Sequence, residues 1–183
     1  PNPQAITSRN ANVEVSVRRM MISHCWLCLA DPESYDVQRN EIFAPQSNGP
    51  KVRCLLYQPK AEADKQRAGY LHIHGGGYLF GSPDGSDLSN LLIASKLGVT
   101  VLSVDYRLAP EHPIPAPLED CYAGLAYLHE HAEELRVDVS RIGIGGESAG
   151  GGLAAALAIK ARDVHFHSDD MHLACFLATL LLI

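Results

Sequence analysis

The sequence predicts an α/β fold, with a mostly parallel β-sheet and helices on both of its faces. Two observations lead to this prediction. Short apolar runs rich in β-branched residues alternate with helical segments after residue 70, as expected for parallel strands covered on both faces. Two of these runs end in glycine-rich turns, which punctuate the ends of regular elements. The 183 residues are enough for one domain with a hydrophobic core.

The part of the chain before residue 70 is predicted to hold two helices and a pair of strands. Apolar residues at a helical spacing predict the first helix within residues 13–30. Asp31 followed by Pro32 is typical of an N-cap with proline at the first helical position, so a short second helix should begin there. Two strand-like runs separated by turn residues then follow at 38–44 and 51–58.

The regular alternation of strands and helices is predicted from residue 70 onward. Strands are expected at residues 70–74, 99–105, 141–145 and 175–183. Helices are expected between them at residues 88–97, 118–135 and 149–162. Gly98 should close the first of these helices, because glycine adopts the left-handed conformation that commonly ends a helix.

Composition excludes several classes of function. A net charge of −6 without a basic cluster argues against nucleic-acid partners and anionic membranes. The five cysteines are scattered and odd in number, which favours free thiols in a reducing compartment. Cys25 and Cys28 lack the second pair that a zinc site would need. The apolar run at 173–183 is shorter than the about 20 residues of a membrane span. We therefore expect a cytoplasmic protein without a membrane span.

The glycine cluster GGESAGGG at 145–152 lies between a strand and a helix. A phosphate-binding P-loop is excluded, because that motif requires a lysine directly after its second glycine and the first lysine after this cluster is Lys160. A dinucleotide-binding loop also fails, because G-x-G-x-x-G does not open the helix in either register. Residues 146–150 do match G-x-S-x-G, the turn that lifts a nucleophilic serine above a sheet. Ser148 is the serine of that motif.

A second glycine motif supports the same interpretation. His74 and three following glycines come directly after the first inner strand, where lipases and esterases carry the donors of an oxyanion hole. Backbone N–H groups fixed there stabilise the charged oxygen of an acyl-transfer intermediate, and one such donor contributes about 2.7–4 kcal/mol. A glycine-rich surface turn would explain each motif alone but not both on the expected strands.

Three blocks together carry a family resemblance: HGGGY at 74–78, VDYRLAPEHPIPAPLED at 104–120 and GGESAGG at 145–151. With them, the sequence resembles the hormone-sensitive-lipase-like esterases of the α/β-hydrolase fold. The resemblance implies N-terminal cap helices over residues 1–36 and a hydrolase core over 37–183. It also implies hydrolysis of short- to medium-chain carboxylic esters without a cofactor or metal. The partner is then a small-molecule ester, and homo-oligomerisation stays open.

The resemblance also implies roles for individual residues. Ser148 is expected to be the nucleophile, and the N–H groups of Gly75, Gly76 and Ala149 to form the oxyanion hole. The remaining residues should support them: His74 and Gly77 in the oxyanion loop, and Gly146 and Gly150 in the nucleophile turn. The 104–120 block is expected to brace the site through ionic and hydrogen-bond contacts, with Asp105 and Glu111 in structural roles.

The sequence departs from the family after the serine. An acid and then a histidine should follow Ser148 on loops after two further strands, and we do not find them at that spacing. The acids and histidines at 163–172 crowd into the loop after the nucleophile helix, which should emerge at the opposite end of the sheet. We therefore expect a core truncated before the acid and histidine of the triad, and little activity from this chain alone. A non-catalytic, ligand-binding member of the fold is the alternative.

Overall fold

One mixed sheet of six strands organises residues 31–61, 65–163 and 174–178, which are the residues that the computed structural model describes. The helix predicted within 13–30, most of the predicted cap and the Cys25–Cys28 pair lie outside these residues. The division of the chain at residue 36 therefore stays a prediction.

The strands confirm the predicted α/β class. They are β1 Val37–Ala44, β2 Val52–Pro59, β3 Arg67–Ile73, β4 Thr100–Val104, β5 Val137–Glu147 and β6 Ala174–Ala178. Their order across the sheet is β1-β2-β4-β3-β5-β6. The pairs β4–β3, β3–β5 and β5–β6 are parallel, whereas β1–β2 and β2–β4 are antiparallel. The connection between β1 and β2 is short. It can join only antiparallel strands, because parallel strands need a crossover of about a dozen residues or more.

The described helices are a 3-10 helix Pro32–Tyr35, a second 3-10 helix Pro83–Ser86, and the α-helices α1 Asp87–Leu97, α2 Ala116–Glu130 and α3 Ala149–Asp163. Two of their ends carry the capping chemistry that the sequence predicts. The Asp31 side chain accepts a hydrogen bond from the Glu33 N–H, so it caps the first 3-10 helix as predicted. Gly98 ends α1 with a φ of 65° and donates its N–H to the Ala94 carbonyl.

Helices cover both faces of the sheet because successive strand residues point to opposite sides. Helix α1 closes one face through an apolar cluster made of Val37, Leu55, Tyr57, Leu91, Ala94 and Val101. Helices α2 and α3 close the other face through a larger cluster that includes Leu71, Ile73, Leu102, Leu125, Ile144 and Leu157. Among the described residues no helix is long and apolar enough to cross a membrane.

The largest differences from the predicted boundaries occur at three elements. Helix α2 ends at Glu130 rather than at residue 135, because residues 131–136 form turns that finish with Arg136 at a left-handed φ of 55°. Strand β5 is longer than the predicted 141–145 and starts at Val137, which pairs with Arg67 before a register shift. The last predicted strand, 175–183, is observed at Ala174–Ala178, and its remainder lies outside the described residues.

The strand register brings the two glycine motifs together. On neighbouring parallel strands, Ile73 at the end of β3 pairs with Gly146 near the end of β5. The loop that starts at His74 and the turn that contains Ser148 therefore leave the same edge of the sheet side by side. In α/β sheets this carboxyl edge is where sites are built.

Candidate active site

Ser148 occupies the tight turn between β5 and α3. It follows the last residue of the strand, Glu147, and precedes the first residue of the helix, Ala149. Its φ is 54°, a left-handed value that is uncommon for a residue with a side chain. The side chain is exposed, and its hydroxyl makes no hydrogen bond to any residue that the structure describes. The turn therefore presents this hydroxyl at the edge of the sheet.

Gly146 and Gly150 let strand and helix pass close to β3 on either side of Ser148. A Cβ atom on Gly146 would lie 2.1 Å from the Ile73 carbonyl oxygen, and one on Gly150 would lie 2.0 Å from the same oxygen. Both contacts are with backbone, so a side chain could be accommodated only by moving an element of the core. This close approach of the backbones explains why the motif has glycine at both positions.

The loop after β3 is fixed through its carbonyl groups. The His74 carbonyl accepts a hydrogen bond from the Tyr106 hydroxyl at 2.9 Å. The Gly75 carbonyl accepts one from the His74 Nδ1–H at 2.7 Å. The Gly76 carbonyl accepts one from the Phe80 N–H at 2.9 Å. Three successive peptide groups therefore have a set orientation.

This orientation decides which N–H groups are free. In a planar trans peptide the N–H points opposite to the carbonyl, so the Gly76 and Gly77 N–H groups point away from the acceptor contacts just described. Neither N–H donates to a residue within the described part of the chain. The same holds for Ala149, whose N–H lies in the first turn of α3, where no intrahelical acceptor exists. The glycine loop and the first turn of α3 thus hold three N–H groups without an acceptor among the described residues.

The Gly75 N–H, which the sequence analysis assigned to the oxyanion hole, is occupied. It donates to the Glu147 carboxylate, Oε1, at 3.0 Å. Gly75 does lie beside the serine, because a Cβ built on it would be 3.6 Å from the Ser148 Cβ. A substrate oxygen could use this N–H only by displacing the carboxylate. The N–H of Gly77, predicted as a supporting residue, instead has no acceptor in the part of the chain that the structure describes.

Glu147 is a site residue that the sequence analysis did not single out. Its second oxygen, Oε2, lies 3.1 Å from the His72 Nε2, and the His72 Nδ1 lies 2.9 Å from the Ser103 hydroxyl. Burial by itself would raise the pKa of Glu147. The hydrogen bond from His72, its electrostatic attraction to the carboxylate and the hydrogen bond from the Gly75 N–H outweigh this effect and lower the pKa of Glu147 to about 2. A carboxylate directly before the motif serine was the only sequence signal for this role.

His74 is a buried, neutral imidazole. Burial lowers its pKa to about 4, against an ordinary value of 6.5. Because Nδ1 carries the proton that binds the Gly75 carbonyl, Nε2 is an acceptor, and it has no partner among the described residues. His74 orients the glycine loop in this geometry, which is the part that the sequence analysis gave it.

The 104–120 block braces the site, as predicted, through ionic and hydrogen-bond contacts. Asp105 accepts a hydrogen bond from Arg53, which also binds Asp84 in the segment before α1. Arg107 binds the buried Asp120 carboxylate through Nε and Nη2, and its backbone N–H adds a third contact. Arg53 was not anticipated, because nothing in the sequence links a residue of β2 to the two loops that it joins.

No described residue accepts a hydrogen bond from the Ser148 hydroxyl, and the acids and histidines that follow the serine in sequence do not supply one within the described part of the chain. Asp163 lies at the far end of α3, about 22 Å along a helix of this length, and pairs with Arg162 at 2.8 Å. The other acids and histidines that follow the serine helix in sequence, at 165–172, lie outside the described residues. No cluster of His, Cys, Asp or Glu suited to a metal ion occurs within the described ranges.

Comparison with known proteins places this geometry in a family. The model of a family described as alpha/beta hydrolase fold matches residues 70–183. The chain is 42% identical over 116 residues to Esterase LipI of Mycobacterium tuberculosis, covering 63% of this chain and 36% of LipI. It is 43% identical over 120 residues to arylacetamide deacetylase of Oryctolagus cuniculus, covering 62% of this chain and 30% of that protein.

Solved structures give the same result. A bacterial heroin esterase superposes with a TM-score of 0.79 at 37% identity, covering 90% of this chain and 51% of that one. An esterase of Pyrobaculum calidifontis superposes with a TM-score of 0.74 at 34% identity, covering 82% of this chain and 48% of that one. The chain spans about a third of the length of these curated relatives and about half of the solved structures.

Proposed function

This chain belongs to the family of the alpha/beta hydrolase fold, and on that premise we propose that it supplies the nucleophile and the oxyanion hole of a serine carboxylesterase. Ser148 is the nucleophile. The N–H groups of Gly76, Gly77 and Ala149 bind the oxyanion. The observation that carries the proposal is the exposed Ser148 hydroxyl on a strained turn beside three N–H groups that have no other acceptor among the described residues.

The chemistry follows from this arrangement. The Ser148 oxygen attacks the ester carbonyl carbon as its proton passes to a base, and the carbonyl oxygen becomes an anion bound by the N–H groups. Collapse of this intermediate expels the alcohol, which takes up the proton, and leaves an acyl group on Ser148. Water then attacks the acyl group on Ser148 in the same way. Collapse of this second intermediate releases the carboxylic acid and restores the Ser148 hydroxyl. The base is a histidine, held by an acid, outside the described residues.

The three sequence motifs resemble those of the hormone-sensitive-lipase-like esterases, and the substrates are therefore short- to medium-chain carboxylic esters. The relatives are named esterase and carboxylic ester hydrolase, which supports a catalytic role over a non-catalytic, ligand-binding one. The free N–H groups support it too, because a binding site for neutral ligands does not require donors aimed at a developing anion. A cytoplasmic location and homo-oligomerisation stay predictions from the sequence.

Hydrolysis of p-nitrophenyl butyrate tests the proposal, with Ser148→Ala as the control. Both proteins are assayed with and without added imidazole, which can accept the Ser148 proton where the chain supplies no base. The uncatalysed reaction of imidazole with the ester is the same in both samples and cancels. Mass spectrometry of the quenched reaction then locates the acyl group.

We expect the wild-type chain to exceed the Ser148→Ala chain in the presence of imidazole, with the acyl group on Ser148. Equal rates under both conditions, or an acyl group on another residue, would contradict the proposal. Tight binding of a phosphonate analogue of the ester without any acylation of Ser148 would favour the non-catalytic alternative.

A further inference from the structure

We propose that Glu147 is a positioning residue, whose carboxylate holds the oxyanion loop against the nucleophile turn through the Gly75 N–H. The proposal deepens the esterase function proposed above and rests on it. The geometry joins two parts that must keep a fixed separation, because oxyanion donors act only at about 2.7–3.1 Å from the oxygen that they stabilise.

The carboxylate of Glu147 connects three segments of the chain. It stands at the end of β5, directly before Ser148. Oε1 accepts hydrogen bonds from the Gly75 N–H at 3.0 Å, in the loop after β3, and from the Ser86 hydroxyl at 3.4 Å, directly before α1. Oε2 accepts one from the His72 Nε2–H at 3.1 Å. Both oxygens therefore have donors, and neither accepts a hydrogen bond from the Ser148 hydroxyl.

A buried chain of hydrogen bonds fixes the carboxylate from behind. His72 lies on β3 and Ser103 on β4, and both side chains are almost fully buried. Because Glu147 can only accept, the proton of His72 is on Nε2, and Nδ1 accepts from the Ser103 hydroxyl at 2.9 Å. Nδ1 also lies 3.4 Å from the Asn90 amide of α1. These hydrogen-bonded side chains are a serine, a histidine and an acid, as in a catalytic triad. The serine among them, however, is buried in the sheet and closed to substrate.

The hydrogen bond from the Gly75 N–H to Glu147 is the contact through which these hydrogen-bonded side chains can affect catalysis. The Gly75 peptide immediately precedes the two N–H groups proposed as donors, and its carbonyl is already held by His74. Without the carboxylate, the Gly75 N–H lacks its charged acceptor, and charge-assisted bonds are the stronger class of hydrogen bond. Only the carbonyl contacts would then orient the loop, so the donors would sample other orientations.

Amide hydrogen exchange of the loop glycines tests the contact without requiring turnover. The proteins are the full 183-residue chain as wild type, Glu147→Ala and Glu147→Gln, with Glu119→Ala as a matched control. The Glu119 side chain is 43% exposed and pairs with Lys160 at 2.6 Å, and the Glu147 side chain is 46% exposed. The Glu119 carboxylate binds Lys160 of α3 rather than the glycine loop. The same four proteins are assayed for ester hydrolysis with imidazole, against the Ser148→Ala chain.

In the wild type, we expect the Gly75 amide to exchange at least about tenfold more slowly than the Gly76 and Gly77 amides. In Glu147→Ala its exchange should accelerate by about tenfold or more. Glu147→Gln should stay within about threefold of wild type, because the amide oxygen can still accept from Gly75. Glu119→Ala should match wild type. Hydrolysis should fall in the same order, through kcat rather than KM.

Equal exchange of Gly75, Gly76 and Gly77 in the wild type would overturn the proposal, even if the variants do not fold. So would a Glu147→Ala chain whose Gly75 exchange and kcat match wild type. A wild-type chain that shows slow Gly75 exchange but no hydrolysis above Ser148→Ala would contradict the proposed function instead, and would leave the contact itself supported.

Discussion

The imidazole ring of His74 stacks on the phenol ring of Tyr106, with ring centroids 4.1 Å apart and an interplanar angle of 11°. The hydroxyl of the same tyrosine donates to the His74 carbonyl at 2.9 Å. Tyr106 therefore holds both the side chain and the backbone of the residue that opens the glycine loop. This contact joins the ends of β3 and β4 and keeps the imidazole away from water.

The burial of His74 predicts a pH dependence of stability. Its pKa is about 4 in the folded protein and about 6.5 when unfolded. Between these values the unfolded chain binds a proton that the folded chain does not, so the free energy of unfolding falls as the pH is lowered from about 6.5 to about 4. His74 then contributes no further loss below pH 4. The full difference is about 3 kcal/mol, measured by urea denaturation across this range.

Two substitutions isolate the contribution of His74. His74→Asn removes the titrating group, and we expect its unfolding free energy to change less between pH 7 and pH 4 than that of wild type. His112→Asn makes the same chemical change on an exposed residue and should keep the wild-type dependence. A His74→Asn chain with an unchanged pH profile would contradict this assignment.

The close packing of the nucleophile turn predicts that Gly150→Ala is destabilising. The added Cβ would lie 2.0 Å from the Ile73 carbonyl oxygen and 2.7 Å from that of His74, so helix or strand must move. We expect a loss of at least about 2 kcal/mol, typical of overpacking against backbone. Gly85→Ala is the control, because nothing lies within 4 Å of its Cβ position. A thermal melt that ranks the two variants equally would contradict the packing argument.

The left-handed φ of Ser148 predicts an unusual order of stabilities. At a φ of 54° glycine is favoured over alanine, so Ser148→Gly should be about 1 kcal/mol more stable than Ser148→Ala. Ser95, inside helix α1, provides the opposite case. There the glycine variant should be about 1 kcal/mol less stable than the alanine variant. Chemical denaturation of the four variants measures both differences, and the same sign at both positions would rule out strain at Ser148.

The contact between Arg107 and Asp120 predicts that Asp120→Ala weakens the brace behind the site. The carboxylate is 1% exposed and accepts hydrogen bonds from the Arg107 backbone N–H, Nε and Nη2 at 2.7–3.1 Å and from the Gln46 side-chain amide. Its loss leaves the guanidinium and a backbone N–H unpaired, at a cost of about 3 kcal/mol. Glu33→Ala removes the 74% exposed partner of Lys60 and should cost less than about 1 kcal/mol. Urea denaturation compares the two losses.

The sequence anticipated most of the sheet, because its inner strands are short apolar runs, such as the fully buried Thr100–Val104. The family expected from the three motifs is confirmed by the family match to residues 70–183 and by relatives named esterase. Boundaries were less well anticipated. Helix α2 stops at Glu130, although helical spacing continues to residue 135, because Arg136 takes a left-handed conformation to enter β5. That conformation depends on packing rather than on local residue preference.

The sequence by itself determined the fold class, the serine turn and the glycine loop, since each depends on local spacing and on residues with special backbone freedom. Only the tertiary structure decided which loop amides are free. Gly75, Gly76 and Gly77 are identical letters, yet Glu147 occupies the first amide and leaves the other two without an acceptor among the described residues. That difference arises because parallel pairing of β3 with β5 sets Glu147, 72 residues further along the chain, beside Gly75. Contacts across such a separation leave no pattern in local sequence.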